Sequence, residues 1–149
     1  MFSSPFPDAV IPELSVFDFL FGHIVEADLD RTALVDGTSG AETTYRQLLG
    51  QIDAIAGALA ARGVGVGTVV ALMCPNVPAF AAVFHGILRA GATATTINSL
   101  YTAEEVEGQL ADSGAHWLFT VSALLPAAGP AASARGGHPA LRDLLSENP

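Results

Sequence analysis

Apolar positions in this chain repeat with two different periods, and the switches between them outline its elements. Phe17, Leu20, Phe21 and Ile24 lie three or four residues apart, and Ser15 stands three before Asp18 in a capping arrangement. This predicts a helix from residue 15 to about residue 27. Residues 33–37 read as a short strand entering a turn, with Thr43, Thr44 and Tyr45 as its return. Thr44 and Gln47 repeat the capping-box spacing, and Leu48, Ile52, Ile55 and Leu59 mark one helical face that stops at Arg62-Gly63. Residues 69–73 are continuously apolar, the signature of a strand buried on both faces.

The alternation then repeats. Pro75 ends the strand, Asn76 is placed to cap a helix with Pro78 in its first turn, and Phe80, Phe84, Ile87 and Leu88 form its buried stripe up to Arg89-Ala90-Gly91. Residues 92–97 read as a strand that leaves through Asn98. Thr102 and Glu105 open a short helix carrying Val106 and Leu110 to about Gly114, and residues 117–121 are the next strand. Strand, helix, strand, helix, strand at this spacing predicts an α/β fold with a mostly parallel sheet flanked by helices. The Ala/Gly/Pro/Ser content of residues 124–139 predicts a loop, with one helical turn expected over residues 141–145. The organisation is an extended arm over 1–14, an α/β unit over 15–123 and a chain end over 124–149. Three strands make a small sheet whose outer members look apolar on both faces, so a partial subdomain is expected, with something covering its edges.

Composition narrows the chemistry. The 149 residues carry six Arg and no Lys against 15 Asp and Glu, for a net charge of -9. Nothing here forms the basic stripe that a nucleic-acid partner requires. A lysine Schiff base, or a lysine charge on a transferring phosphate, is excluded within this chain. Cys74 is the single cysteine, which rules out an internal disulfide and fits a reducing, cytoplasmic setting. No basic region precedes an apolar run at the N-terminus, and the apolar stretches are interrupted well before the ~20 residues of a membrane span.

Few residues announce a reaction. His23, His85, His116 and His138 are scattered, and His85 and His116 read as packing or capping residues rather than catalysts. Cys74, at a strand end, reads as an inert buried cysteine, with a thiol nucleophile as the sharper alternative. Gly63, Gly65 and Gly67 form a cluster ahead of a strand, whereas a dinucleotide fingerprint follows a strand and opens a helix. Glu104, Glu105 and Glu107 are placed to complement a helix N-terminus rather than to hold a metal. Asn76 and Asn98 sit at the carboxyl ends of predicted strands, where open α/β sheets place ligands, although capping and loop anchoring also account for them.

Seven stretches in order resemble the opening of the AMP-forming acyl-CoA synthetases. They are residues 2–8 with Ile11-Pro12, then Thr32-Ala33-Leu34-Val35-Asp36-Gly37, Thr44-Tyr45 with the helix to Arg62-Gly63-Val64, and Cys74-Pro75-Asn76. Residues 86–92, residues 98–102 and Asp112-Ser113-Gly114-Ala115 complete the pattern. The opening looks most like the 4-coumarate-CoA ligase branch. Cys74, Thr68 and Ser99 stand where that family usually has Leu, Asp and Pro. The resemblance implies the N-terminal part of an ATP-dependent, AMP-forming ligase that uses ATP, Mg2+ and CoA. It also implies that the family's phosphate loop, magnesium-binding acid, ribose-binding aspartate and catalytic lysine lie downstream. On that reading the segment is structural, inactive by itself, and carries no catalytic, cofactor-binding or metal residue that can be named. Its partner is the remainder of the ligase chain or a covering protein, with self-association through open sheet edges as a further expectation. The rival readings are a complete truncated relic acting as a binding or scaffold module, and an unrelated nucleotide-binding α/β protein resting on Gly63 to Gly67.

Overall fold

The computed structural model describes residues 5–134. His138 and the helical turn expected over residues 141–145 lie outside the described residues. Residues 5–14 contain neither helix nor strand and are exposed, Val10 at 93%. Helix α1 (Val16–Phe21) begins at Ser15, whose Oγ accepts the Asp18 N–H at 3.0 Å. It is shorter than expected: Gly22 caps its end, donating its N–H to the Asp18 carbonyl at 2.9 Å, and a separate 3-10 turn (Glu26–Asp28) follows. Strands β1 (Thr32–Val35) and β2 (Glu42–Thr44) form the expected antiparallel hairpin. Asp36 ties its turn by accepting the N–H groups of Thr38 and Ser39, and these bonds hold its carboxyl below the usual range.

Helix α2 (Tyr45–Ala60) opens with the full capping box of Thr44 and Gln47 and buries Leu48, Ile52, Ala56 and Leu59. Strand β3 (Val69–Met73) leads into α3 (Pro78–Arg89), β4 (Thr93–Ile97), α4 (Ala103–Ser113) and β5 (Trp117–Thr120). The three strands are parallel in the order β4-β3-β5, with Val70 level with Ala94 on one side and Trp117 on the other. A mixed α/β fold with a parallel sheet between helices is therefore what the residues build.

Period-two alternation along β3 divides the core. Val70 and Leu72 pack with Val83 and Ile87 of α3, and Ala71 and Met73 pack with Val106 and Leu110 of α4. A third cluster joins Phe17 of α1 to Leu48 and Ile52 of α2 and Ala82 of α3.

Three expectations are corrected. The segment read as a loop from residue 124 contains a 3-10 turn (Ser122–Leu124) and a helix α5 (Leu125–Ala134). Pro126 falls in its first turn, where a missing N–H costs little, and Ala128 and Ala131 are three apart and buried against the α4 side of the sheet. Asn76 caps nothing: the N-cap of α3 is Val77, with Pro78 starting the helix. The outer strands are not uniformly apolar, because β4 exposes Thr93 and Thr96.

Candidate functional site

The two connections that leave the C-terminal ends of β3 and β4 part company. The chain after β3 enters α3 on one face of the sheet, and the chain after β4 enters α4 on the other. This divergence opens a crevice beyond the strand ends, the position where open parallel sheets seat ligands. It measures about 480 Å³ and is lined by Cys74, Pro75, Asn76 and Phe80 from the β3 side. Thr96, Ile97, Asn98, Ser99, Tyr101 and Gln109 line it from the β4 side.

Asn98 anchors this second wall: its Oδ1 accepts the Leu100 N–H at 3.0 Å and its carbonyl accepts the Tyr101 N–H at 3.1 Å. Asn76 is exposed, and among the described residues its amide bonds to no protein group. Gln109 donates to Thr95 Oγ1 at 3.1 Å and to the Thr96 carbonyl at 2.8 Å. Tyr101 is 37% exposed, and the half-buried Phe80 ring stacks at 6.2 Å on Phe84.

The walls carry amides, hydroxyls, one thiol and two aromatic rings, but no charged side chain. Such a surface orients an uncharged or delocalised group and does not neutralise a triphosphate. Burial pushes the Cys74 thiol up from its ordinary pKa, so the thiol stays protonated near neutrality.

The crevice thus unites Asn76, Asn98 and Cys74, which the sequence singled out, and leaves the other candidates elsewhere. Gly63, Gly65 and Gly67 connect α2 to the start of β3, at the opposite end of the sheet, with Gly63 and Gly67 at φ +77° and +84°. That loop closes on itself through Thr68 N–H to the Gly65 carbonyl, and precedes a strand. His23 and His116 are exposed. His85 packs edge-on against Phe21 and Phe84, with a buried Nδ1 that has no partner among the described residues, and burial lowers its pKa. Glu105 closes the α4 capping box by accepting the Thr102 N–H, which holds its carboxyl low. No group of three His, Cys, Asp or Glu is placed for a metal among the described residues.

Sequence reasoning passed over Phe80, Thr96, Tyr101 and Gln109. Only Gln109 left a readable trace, as a polar residue next to Leu110 in the apolar stripe of α4.

Comparison with known proteins gives this architecture its context. Residues 21–147 match the model of the family described as AMP-binding enzyme. The chain belongs to that family. It is a member of the adenylate-forming superfamily of acyl- and aryl-CoA ligases, and it corresponds to the N-terminal part of their larger domain. It is 35% identical over 130 residues to 4-coumarate--CoA ligase 5 of Oryza sativa subsp. japonica, covering 84% of this chain and 23% of that protein. It is 33% identical over 129 residues to peroxisomal OPC-8:0-CoA ligase 1 of Arabidopsis thaliana, covering 87% and 23%. The fold superposes on the anthranilate CoA ligase AuaEII, crystallised with anthranoyl-AMP, at a TM-score of 0.73 and 30% identity over 86% of this chain and 24% of that one. The chain spans about a quarter of the length of these relatives. Relatives with different named substrates match almost equally well, so likeness alone does not single out the 4-coumarate branch.

Proposed function

We propose that this chain is the N-terminal framework of an ATP-dependent, AMP-forming carboxylate-CoA ligase of the 4-coumarate-CoA ligase type, acting in the cytoplasm. In that reaction a carboxylate attacks the α-phosphorus of ATP to give an acyl-adenylate and pyrophosphate. The CoA thiol then displaces AMP to give the thioester.

The observation that carries this reading is the uncharged crevice at the divergence of β3 and β4, set in a chain of the AMP-binding family. ATP and Mg2+ do not fit it as a self-sufficient site, since its walls have no cation or carboxylate and the chain has no lysine. Phosphate and metal chemistry therefore belongs to the rest of the ligase. This segment supplies the supporting sheet and a neutral wall on which Asn76 and Asn98 orient the bound ligand.

Expression from the intact gene tests this. Release of pyrophosphate from ATP should depend on an added carboxylate, with 4-coumarate, anthranilate and a fatty acid as the first panel, and thioester should appear on adding CoA. The 149-residue chain alone should release none. Failure of the intact gene product with every carboxylate, or cleavage of ATP to ADP, would remove the ligase reading. A gene product of 15.3 kDa would instead favour the scaffold module.

A further inference from the structure

Gln109 occupies a helical position whose neighbours, Val106 and Leu110, are buried apolar residues facing the sheet. The side chain is half-buried, so part of it leaves water and its hydrogen bonds offset that cost. Its Nε2 has two hydrogens and two acceptors, Thr95 Oγ1 at 3.1 Å and the Thr96 carbonyl at 2.8 Å, both on β4. Among the described residues strand β4 is an edge, paired to β3 on one side. Directly beyond it the chain turns into residues 98–102, which form the second wall of the crevice. The same helix is fixed at its start by the Thr102 and Glu105 capping box, so the wall is tied to α4 at both ends.

We infer that Gln109 is a positioning residue: its amide pins the end of β4 to α4 and so sets the wall of Thr96, Asn98 and Tyr101 against which the ligand is seated. The role in ligand seating rests on the ligase reading above; the pinning does not. Leucine at this position would continue the apolar stripe and pack against the same neighbours, so the two bonds to β4 are what glutamine adds.

The experiment uses the protein expressed from its intact gene, with Gln109→Leu, which removes both bonds at similar volume, and Gln109→Glu, which keeps the shape and can still accept from the Thr95 hydroxyl but sets a carboxylate against the Thr96 carbonyl. In the leucine variant the peptide spanning residues 98–102 should exchange its amide hydrogens about tenfold faster, with the β3 peptide unchanged. Its KM for 4-coumarate or for CoA should rise roughly five- to tenfold, with kcat within about twofold. The glutamate variant should lose the Thr96 bond near pH 8 and so also speed exchange at residues 98–102. It should recover toward the parent as the pH is lowered and the carboxyl regains one O–H donor, a recovery the leucine variant cannot show.

Unchanged exchange at residues 98–102, or faster exchange across the whole domain, overturns the pinning. A loss in kcat with KM unchanged, or a glutamate variant without pH-dependent recovery, overturns the positioning role. If the parent protein releases no pyrophosphate with any carboxylate, the ligase reading falls while the exchange comparison still decides the clamp. If the leucine variant does not fold, exchange in the glutamate variant at pH 8 decides it.

Discussion

At Gly86 helix α3 packs directly on Ile55 of α2. A Cβ built there would meet Ile55 Cγ2 at 2.6 Å and Ile55 Cβ at 2.8 Å, closer than carbon atoms pack, so the absence of a side chain lets the two helices meet. Gly86→Ala should therefore destabilise the fold by about 1–3 kcal/mol through overpacking, despite alanine's better helix propensity. A urea melt that shows equal or greater stability would contradict this. His85, one residue earlier, makes a prediction about pH. Burial between Phe21 and Phe84 lowers its pKa, so the folded state resists a proton that the unfolded chain accepts near its ordinary value of about 6.5. Its contribution is complete above that pH and is lost as the pH falls below it, toward the lowered folded value. Asp18, Asp53 and Arg89 form a charged group across the same three helices, with Arg89 3.3 Å from Asp53 and 3.8 Å from Asp18. Stability measured between pH 8 and pH 5 should fall less steeply in His85→Phe than in the parent. At this scale little was legible: the tight contact of Gly86 with Ile55 and the packing of His85 on Phe21 join residues 31 and 64 positions apart in sequence, which no local pattern carries.

The helices were legible where local chemistry fixes their ends. Thr44 with Gln47 and Thr102 with Glu105 both form complete capping boxes, because each needs only a hydroxyl and an acceptor three residues apart. Thr44→Ala leaves the N-terminal amides of α2 without that acceptor and should cost about 0.5–2 kcal/mol, read as a lower midpoint with an unchanged denaturant slope. Helix α5 was missed because proline and glycine were read as breakers. Pro126 lies in the first turn, Pro130 is exposed, and only packing of Ala128 and Ala131 on the sheet makes the helix worth forming. The same limit applies to Asn76. Its residue type is a good cap, but the chain turns into α3 through Val77, which leaves the amide at the crevice instead.

On the scale of the whole molecule, β4 and β5 each present an edge with no strand beside it among the described residues, and Trp117 and Phe119 of β5 are only half-buried on the α3 side. Unpaired edges and partly covered aromatic side chains favour association. The 149-residue chain alone should sediment above monomer mass at micromolar concentration, and emission from its single tryptophan should shift as it is diluted. A monodisperse, cooperatively unfolding monomer would count against that expectation. The order of elements, the central strand buried on both faces, the helix caps and the lack of lysine follow from the sequence alone, because periodicity, cap chemistry and composition are properties of neighbouring residues. Tertiary structure alone decided that α3 and α4 leave the sheet on opposite faces and that Cys74, Asn76, Asn98 and Gln109 line one crevice. These residues span 36 positions, and what brings them together is parallel pairing of β3 with β4, an arrangement set by packing across the sheet rather than by any residue's neighbours in the chain.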